Sequence, residues 1–405
     1  MCIDDLSALK EPTRIQRHVL RLVYINGRFV QHSHLKSDTV SPPDPEVIVC
    51  NIKKRFTGVS GTINALVPVQ ARSLTIGYLG TPIPGVTLAQ AQSPERFSWL
   101  GLRDAVRLSR RRLPDGRRRI WHVRRDPEMM LGILLRDVLR LPISLVFTSA
   151  AKHRHSWFPR WLISRMDGVV STTPEAASFV PNTTRVVPHG ISLERFAPPQ
   201  DKLSAWSEAK LPRRYGIGVF GRVRPDKGSD LFVEAMLKVL PQFPDFCAVI
   251  AGLAQPQHQA FQDQLIQRVR DHGLQDRIRF LGEIPPDQVA HWYRRVLITV
   301  ACPRYEPFGL TPLEGMACGC AVVASDTGAF RTIVDEGVTG HVVPTEDVDA
   351  LASRLSELMR DPVRTAGMGQ KGRQRVERSF SVEREAEGIA AVYDMVWQGH
   401  AGTAA

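Results

Sequence analysis

Cysteine is scarce in this 405-residue chain: six residues, at positions 2, 50, 247, 302, 318 and 320, none in a paired CxxC spacing. That excludes a secreted disulfide scaffold and the common zinc frames, and it predicts a reducing cytoplasm. Cys318 and Cys320 flank Gly319 where a helix passes into a strand, so they read as small buried residues, and no metal site is expected. Long hydrophobic runs are missing as well. The most apolar stretch, 129–148, is interrupted by Arg136, Asp137 and Arg140, and the N-terminus has no signal-peptide profile. A bilayer-spanning helix is thereby excluded, and any membrane contact is expected to be peripheral.

Acidic residues are few in the first half. Residues 45–195 hold 23 Lys and Arg against 10 Asp and Glu, whereas residues 196–405 hold 24 against 26. The excess is densest from Arg96 to Arg125, where eleven arginines, among them Arg110, Arg111, Arg112, Arg117, Arg118 and Arg119, face only Asp104 and Asp115. No zinc-finger spacing, RNP-like aromatic segment or helix-turn-helix pattern accompanies the charge, so nucleic acid is not the expected partner. Two readings stay open: a face for an anionic membrane or acidic acceptor, and a solvated face that only aids solubility.

What is present is the rhythm of a globular α/β protein, with 43% hydrophobic and 23% charged residues. Residues 1–44 end in a proline cluster and read as an extension outside the fold. Short apolar runs at Val47–Cys50, Ser73–Leu79, Ile120–Val123, Ser144–Thr148 and Gly168–Ser171 alternate with helical spacing. A second series follows at Ile217–Phe220, Cys247–Ala251, Ile278–Leu281, Ile298–Ala301 and Ala321–Ser325. The expected organisation is two doubly wound, Rossmann-like domains facing a central cleft, at 45–195 and 196–380, with a C-terminal helix in 381–405. Ligands of such domains bind at the carboxyl ends of the strands.

Two segments carry chemistry. Glu306-Pro307-Phe308-Gly309-Leu310-Thr311-Pro312-Leu313-Glu314 places two glutamates across a strand-to-helix junction, with Pro312 suited to the first helical turn. The backbone amides of Gly309, Leu310 and Thr311 would seat a diphosphate, and the carboxylates would accept hydrogen bonds from sugar or ribose hydroxyls. The alternative is that Glu314 merely complements a helix N-terminus while Glu306 is a surface residue. The other segment, Gly221-Arg222-Val223-Arg224-Pro225-Asp226-Lys227-Gly228, follows a strand and carries cations that can neutralise a leaving diphosphate. Its bland reading is an ordinary basic turn.

These two segments, followed by Gly337-Val338-Thr339-Gly340-His341-Val342-Val343-Pro344, resemble in their order the family-4 glycosyltransferases of the GT-B fold, over roughly residues 46–395. The resemblance implies that Arg222 and Lys227 contact the donor diphosphate, Glu306 the donor sugar and Glu314 the nucleotide ribose, with backbone contacts from Gly309 and Leu310. It also implies that a glycine loop, Gly58 to Gly61, lies near the donor phosphate and acceptor. It implies a catalytic histidine at His122, after a strand of the first domain, with Glu306 as the other catalytic residue, although Arg124 stands where many relatives carry a second histidine. His153 and His155 are the rival histidines and fit an acceptor-binding surface.

Lys53-Lys54-Arg55-Phe56-Thr57-Gly58-Val59-Ser60 and the segment Phe147 to Ser156 are similar to inner-core mannosyltransferases of bacterial lipopolysaccharide assembly. That similarity implies GDP-mannose as donor substrate, a lipid A precursor bearing the acidic sugar Kdo as acceptor, no cofactor, and a place on the inner face of the cytoplasmic membrane. It further implies that the helix within Ser381–Gln398 crosses back onto the first domain. No Asp-x-Asp pair lies near the phosphate seat, so retention of configuration without a divalent metal is expected. The rival readings are a transferase using a UDP-hexose and a noncatalytic protein that docks on anionic lipid or nucleic acid.

Overall fold

The computed structural model describes residues 44–53, 58–151 and 153–401. All but one residue of the expected N-terminal extension, and Lys54 to Thr57, lie outside these. One parallel sheet holds β1 (Val47–Asn51), β2 (Ile76–Gly80), β3 (Phe97–Trp99), β4 (Arg119–Val123), β5 (Ile143–Ser149), β6 (Gly168–Ser171) and β7 (Arg185–Val186). Its order is β3-β2-β1-β4-β5-β6-β7. A second parallel sheet holds β8 (Tyr215–Phe220), β9 (Phe246–Ala251), β10 (Ile278–Gly282), β11 (Ile298–Ala301), β12 (Ala321–Ser325) and β13 (Gly340–Val343). Its order is β10-β9-β8-β11-β12-β13.

The apolar runs become strands because both faces of each sheet are covered, so successive residues enter different cores. Val47 and Val49 join one cluster while Ile48 and Cys50 join another. In the second sheet Phe246, Ala248 and Ile250 alternate in the same way with Cys247 and Val249. Cys318 and Cys320 are fully buried in that core, as expected. The strands without an expected counterpart, β3, β7 and β13, are all short and lie at sheet edges.

Strand order creates two crevices. β1 stands between β2 and β4, and β8 stands between β9 and β11, so in each sheet the connections diverge from a central pair of strands. The helices that frame these places are α1 (Gly58–Gln70), α2 (Asp126–Ile133), α3 (Trp157–Ser164), α4 (Ser229–Val239), α5 (Thr311–Ala317) and α6 (Val382–Ala401).

The last helix belongs to the first sheet. Ile389, Val392, Tyr393 and Val396 of α6 pack in one cluster with Val47 of β1 and Ile63 of α1, and Trp397 Nε1 donates to the Arg118 carbonyl at 2.9 Å. To get there the chain passes beside the segment that links the sheets: Ile191 N donates to Phe380 O at 2.8 Å and Val382 N to Ile191 O at 3.1 Å. Gly190 is required at this crossing, since a Cβ there would stand 2.2 Å from the Ser381 carbonyl oxygen. Glu385 fastens it by accepting from Gly190 N and holding His189 Nδ1, both at 2.8 Å.

The arginine-rich segment is not one basic face. Arg119 is buried and binds Asp44 and the Pro45 carbonyl, Arg117 pairs with Asp115 and Glu46, and Arg125 reaches Asn51 and Glu128. Arg96, Arg103, Arg107, Arg110, Arg111 and Arg112 are exposed. Part of the charge that suggested an outside anion therefore serves the interior of this domain, and the rest stays on its surface.

Candidate active site

At the crevice of the second sheet one pocket is lined by Gly221, Arg222 and Lys227 after β8, by Glu306 after β11, and by Thr311 at the start of α5, with Phe330 closing one side. The cations and the first glutamate are thus brought together from segments far apart in sequence. Lys227 Nζ donates to Glu306 Oε2, and Arg222 lies exposed at the rim. A larger hollow bordered by Lys202, Trp206 and Tyr215 opens at the amino end of β8 and contains none of these side chains.

The loops hold their shape for identifiable reasons. Lys227 ends a single 3-10 turn, Pro225–Lys227, and Gly228 follows with φ +71°, where a Cβ would strike the Cys302 carbonyl oxygen at 1.9 Å. Arg304 braces the turn from the other loop: its guanidinium bridges both Asp230 oxygens at 2.9 and 2.7 Å and reaches Glu346 at 2.7 Å. Gly309 has φ +83°, and a Cβ there would meet the Phe330 ring at 2.3 Å. Leu310 caps α5, Thr311 begins it and Pro312 occupies its first turn.

Glu314 lies one turn into α5 and is not among the residues lining the pocket; it is held by Tyr293, whose hydroxyl donates to Oε2 at 2.6 Å. Burial raises the Glu314 carboxyl above its ordinary range and the Tyr293 hydrogen bond opposes this. Tyr293 is itself buried, and its hydroxyl is pushed well above the ordinary phenol range by burial and by Glu314. Nothing in the local spacing around Tyr293 marks it; only the packing of Phe220 and Phe196 against its ring places it there.

His122, the expected catalytic histidine, lies away from the pocket of the second sheet. Its side chain points into the core of the first sheet, fully buried, with Nδ1 2.6 Å from the Tyr393 hydroxyl and Nε2 2.7 Å from Thr148 Oγ1. Burial, helped by Arg124, holds its pKa well below the ordinary histidine range. With both ring nitrogens engaged, His122 ties β4 to α6 and to β5. The expected glycine loop is also different in form: Gly58 and Gly61 lie in the first turns of α1. His153 is exposed and His155 half-buried in the loop between β5 and α3.

At the carboxyl ends of β1 and β4 a second polar cluster appears that spacing alone did not indicate. Glu128 of α2 is buried, accepts from Ile52 N at 3.2 Å and Arg124 N at 2.8 Å, and binds Arg125 at 3.1 Å. Asn51 accepts from Arg125 at 2.9 Å and from Ser60 Oγ at 3.3 Å. These bonds fix the ends of the two central strands against α1 and α2.

Comparison with known proteins agrees with this architecture. Residues 204–375 match the model of the family described as glycosyl transferases group 1. The chain is 42% identical over 352 residues to the lipopolysaccharide core biosynthesis mannosyltransferase LpcC of Rhizobium leguminosarum bv. viciae, covering 87% of this chain and 96% of that protein. It is 44% identical over 358 residues to the lipopolysaccharide core biosynthesis mannosyltransferase LpsB of Rhizobium meliloti strain 1021, covering 87% and 97%. Among solved structures, HepE of Anabaena in complex with UDP superposes with a TM-score of 0.73 at 16% identity, over 86% of this chain and 99% of that one. At that identity the likeness speaks for the fold alone.

Proposed function

Because the chain belongs to the group 1 glycosyltransferases and has the GT-B architecture of two Rossmann-like domains, we propose that it transfers mannose from GDP-mannose to the Kdo inner core of lipopolysaccharide, with retention of configuration. The observation that carries this reading is the pocket at the crevice of the second sheet, where Arg222, Lys227 and Glu306 converge. The similarity to LpcC and LpsB, both mannosyltransferases of lipopolysaccharide core biosynthesis, supports mannose as the sugar and lipopolysaccharide core as the product.

In this mechanism the bond between the anomeric carbon and the donor diphosphate breaks, and its electron pair leaves on the diphosphate. Arg222 and Lys227 neutralise that charge, so no divalent metal is needed. Glu306 accepts a hydrogen bond from the donor sugar and Glu314 from the ribose, with Gly309, Leu310 and Thr311 contributing backbone contacts. The acceptor hydroxyl bonds to the same face of the anomeric carbon and gives its proton to the departing phosphate oxygen.

The acceptor is lipid-linked in this reading, and contact with the anionic inner face of the cytoplasmic membrane is peripheral. No described helix is long and apolar enough to cross a membrane. Two neighbouring helical segments instead expose apolar stripes: Met130, Leu134 and Val138 along α2 and the π-type turn Leu134–Val138 that extends it, and Trp157 and Trp161 on α3. Trp157 is 76% and Val138 66% exposed, a level that favours insertion among lipid headgroups over burial in this chain. Arg140 and Arg154, both exposed, border the stripes and match an anionic surface.

The test is transfer from radiolabelled GDP-mannose, with UDP-glucose in parallel, onto Kdo-bearing lipid A in the presence of EDTA, followed by assignment of the product anomer. Labelled α-mannoside from GDP-mannose supports the reading, and product from UDP-glucose alone rejects the donor. A Glu306→Ala chain that keeps full function would favour the docking alternative.

A further inference from the structure

Arg124 follows the last residue of β4, at the crevice of the first sheet, and its side chain is more than nine-tenths buried. A buried guanidinium is costly unless its donors are met. Only Nη1 is met, by Thr62 Oγ1 of α1 at 3.3 Å. Nε and Nη2, which together form the flat edge that grips an oxyanion with two parallel hydrogen bonds, have no partner among the described residues.

Two acids lie close enough to influence this charge, Glu385 and Glu128, yet both are committed elsewhere. Glu385 holds His189 and Gly190 N, and Glu128 holds Ile52 N, the Arg124 backbone amide and Arg125. The carboxylates that would neutralise a structural arginine thus serve the backbone around it. Its surroundings also point toward substrate. Thr62 stands just beyond the first turn of α1, and His189, bound to Glu385, packs edge-on against Phe308 of the donor loop with ring centroids 4.9 Å apart.

We propose that Arg124 is a ligand-binding residue whose Nε and Nη2 edge receives an oxyanion of a substrate at the carboxyl end of β4. The ligand is a carboxylate or phosphate group, and its two possible sources are the acidic acceptor sugar and the donor diphosphate. This inference rests on the transferase reading above and adds an anion seat in the first domain to the one in the second.

The experiment is steady-state kinetics of the full-length wild type, Arg124→Gln and Arg124→Lys, varying GDP-mannose and Kdo-bearing lipid A separately, with the melting temperature of each. A carboxylate ligand raises the acceptor KM of Arg124→Gln roughly tenfold or more, with the donor KM unchanged; a diphosphate ligand raises the donor KM and the Kd for GDP by a similar factor. Either supports the seat. Arg124→Lys keeps the charge without the two-pronged edge and serves as the comparison if Arg124→Gln does not fold; a KM raised as in Arg124→Gln is expected. In addition, wild type acting on an acceptor whose Kdo carboxyl is reduced to an alcohol shows the carboxylate arm without any mutation. Unchanged KM values for both substrates, or a loss confined to melting temperature, overturn the proposal. If the wild type transfers nothing from GDP-mannose, the donor reading fails first, and calorimetric titration of wild type and variants with GDP and with free Kdo still decides the seat: equal binding by all three overturns it.

Discussion

The hydroxyl of Tyr393, on the last helix, lies 2.6 Å from Nδ1 of His122, on the fourth strand, 271 residues earlier in the chain. The pair joins the C-terminal helix to the middle of the first sheet, and Gln70 Nε2 reaches the same hydroxyl from α1 at 3.4 Å. His122→Phe leaves Tyr393 and Thr148 without this partner in the core, a cost of about 1–3 kcal/mol for each buried group left unsatisfied. The expected result is a markedly lower melting temperature with turnover largely retained at low temperature.

The same histidine gives a pH dependence with a defined sign. Its folded pKa lies well below the ordinary value of 6.5, so below that pH the unfolded chain takes a proton that the folded chain refuses. Stability is therefore complete above pH 6.5 and declines as the pH falls toward the folded pKa. Melting curves of wild type between pH 7.5 and 5.5 should show this decline, and the slope should be smaller in His122→Phe.

Glu314 behaves in the opposite sense. Its folded pKa is raised above 4.5, so the folded chain holds the proton more tightly and this residue's contribution to stability is lost as pH rises through that value. Glu314→Gln keeps an acceptor for Tyr293 and removes a half-buried charge. It should melt higher than wild type at pH 7, with the difference vanishing near pH 4, while the KM for the nucleotide-sugar donor rises. An unchanged donor KM would remove Glu314 from the ribose contact.

Lys227 and Glu306 keep only 26% and 20% of their side-chain surface exposed, so losing the pair should lower the melting temperature measurably as well as altering turnover. If it carries the charge of the leaving diphosphate, Lys227→Ala should lower kcat by roughly 10²–10³-fold. Single-turnover rates set beside melting temperatures separate the two effects.

The exposed tryptophans can be removed without touching the pocket. Trp157→Ser combined with Trp161→Ser should abolish co-flotation with vesicles containing phosphatidylglycerol, and turnover on a detergent-dispersed acceptor should remain that of wild type. Vesicles of phosphatidylcholine alone should bind the unaltered chain weakly, and raising the salt should release it from the anionic ones. Flotation unaffected by the double substitution would place the membrane contact elsewhere.

Much of the architecture was determined locally. A parallel strand covered on both faces must be apolar at consecutive positions, so Val47–Cys50, Ile298–Ala301 and Ala321–Ser325 could be recognised without knowing their neighbours. The cations and glutamates of the second domain were legible for a similar reason: each stands at a fixed offset from such a strand or from the first turn of the helix after it. Tertiary structure alone decided what depends on packing between distant segments. It turned His122 inward to meet Tyr393, set Tyr293 against Glu314, and used Arg117, Arg119 and Arg125 inside the first domain. The Arg124 guanidinium shows the difference most clearly. Its position after a strand could be read from the chain, but which acids surround it, and that their oxygens are already taken, follows only from how β4, α1, α2 and α6 close on one another.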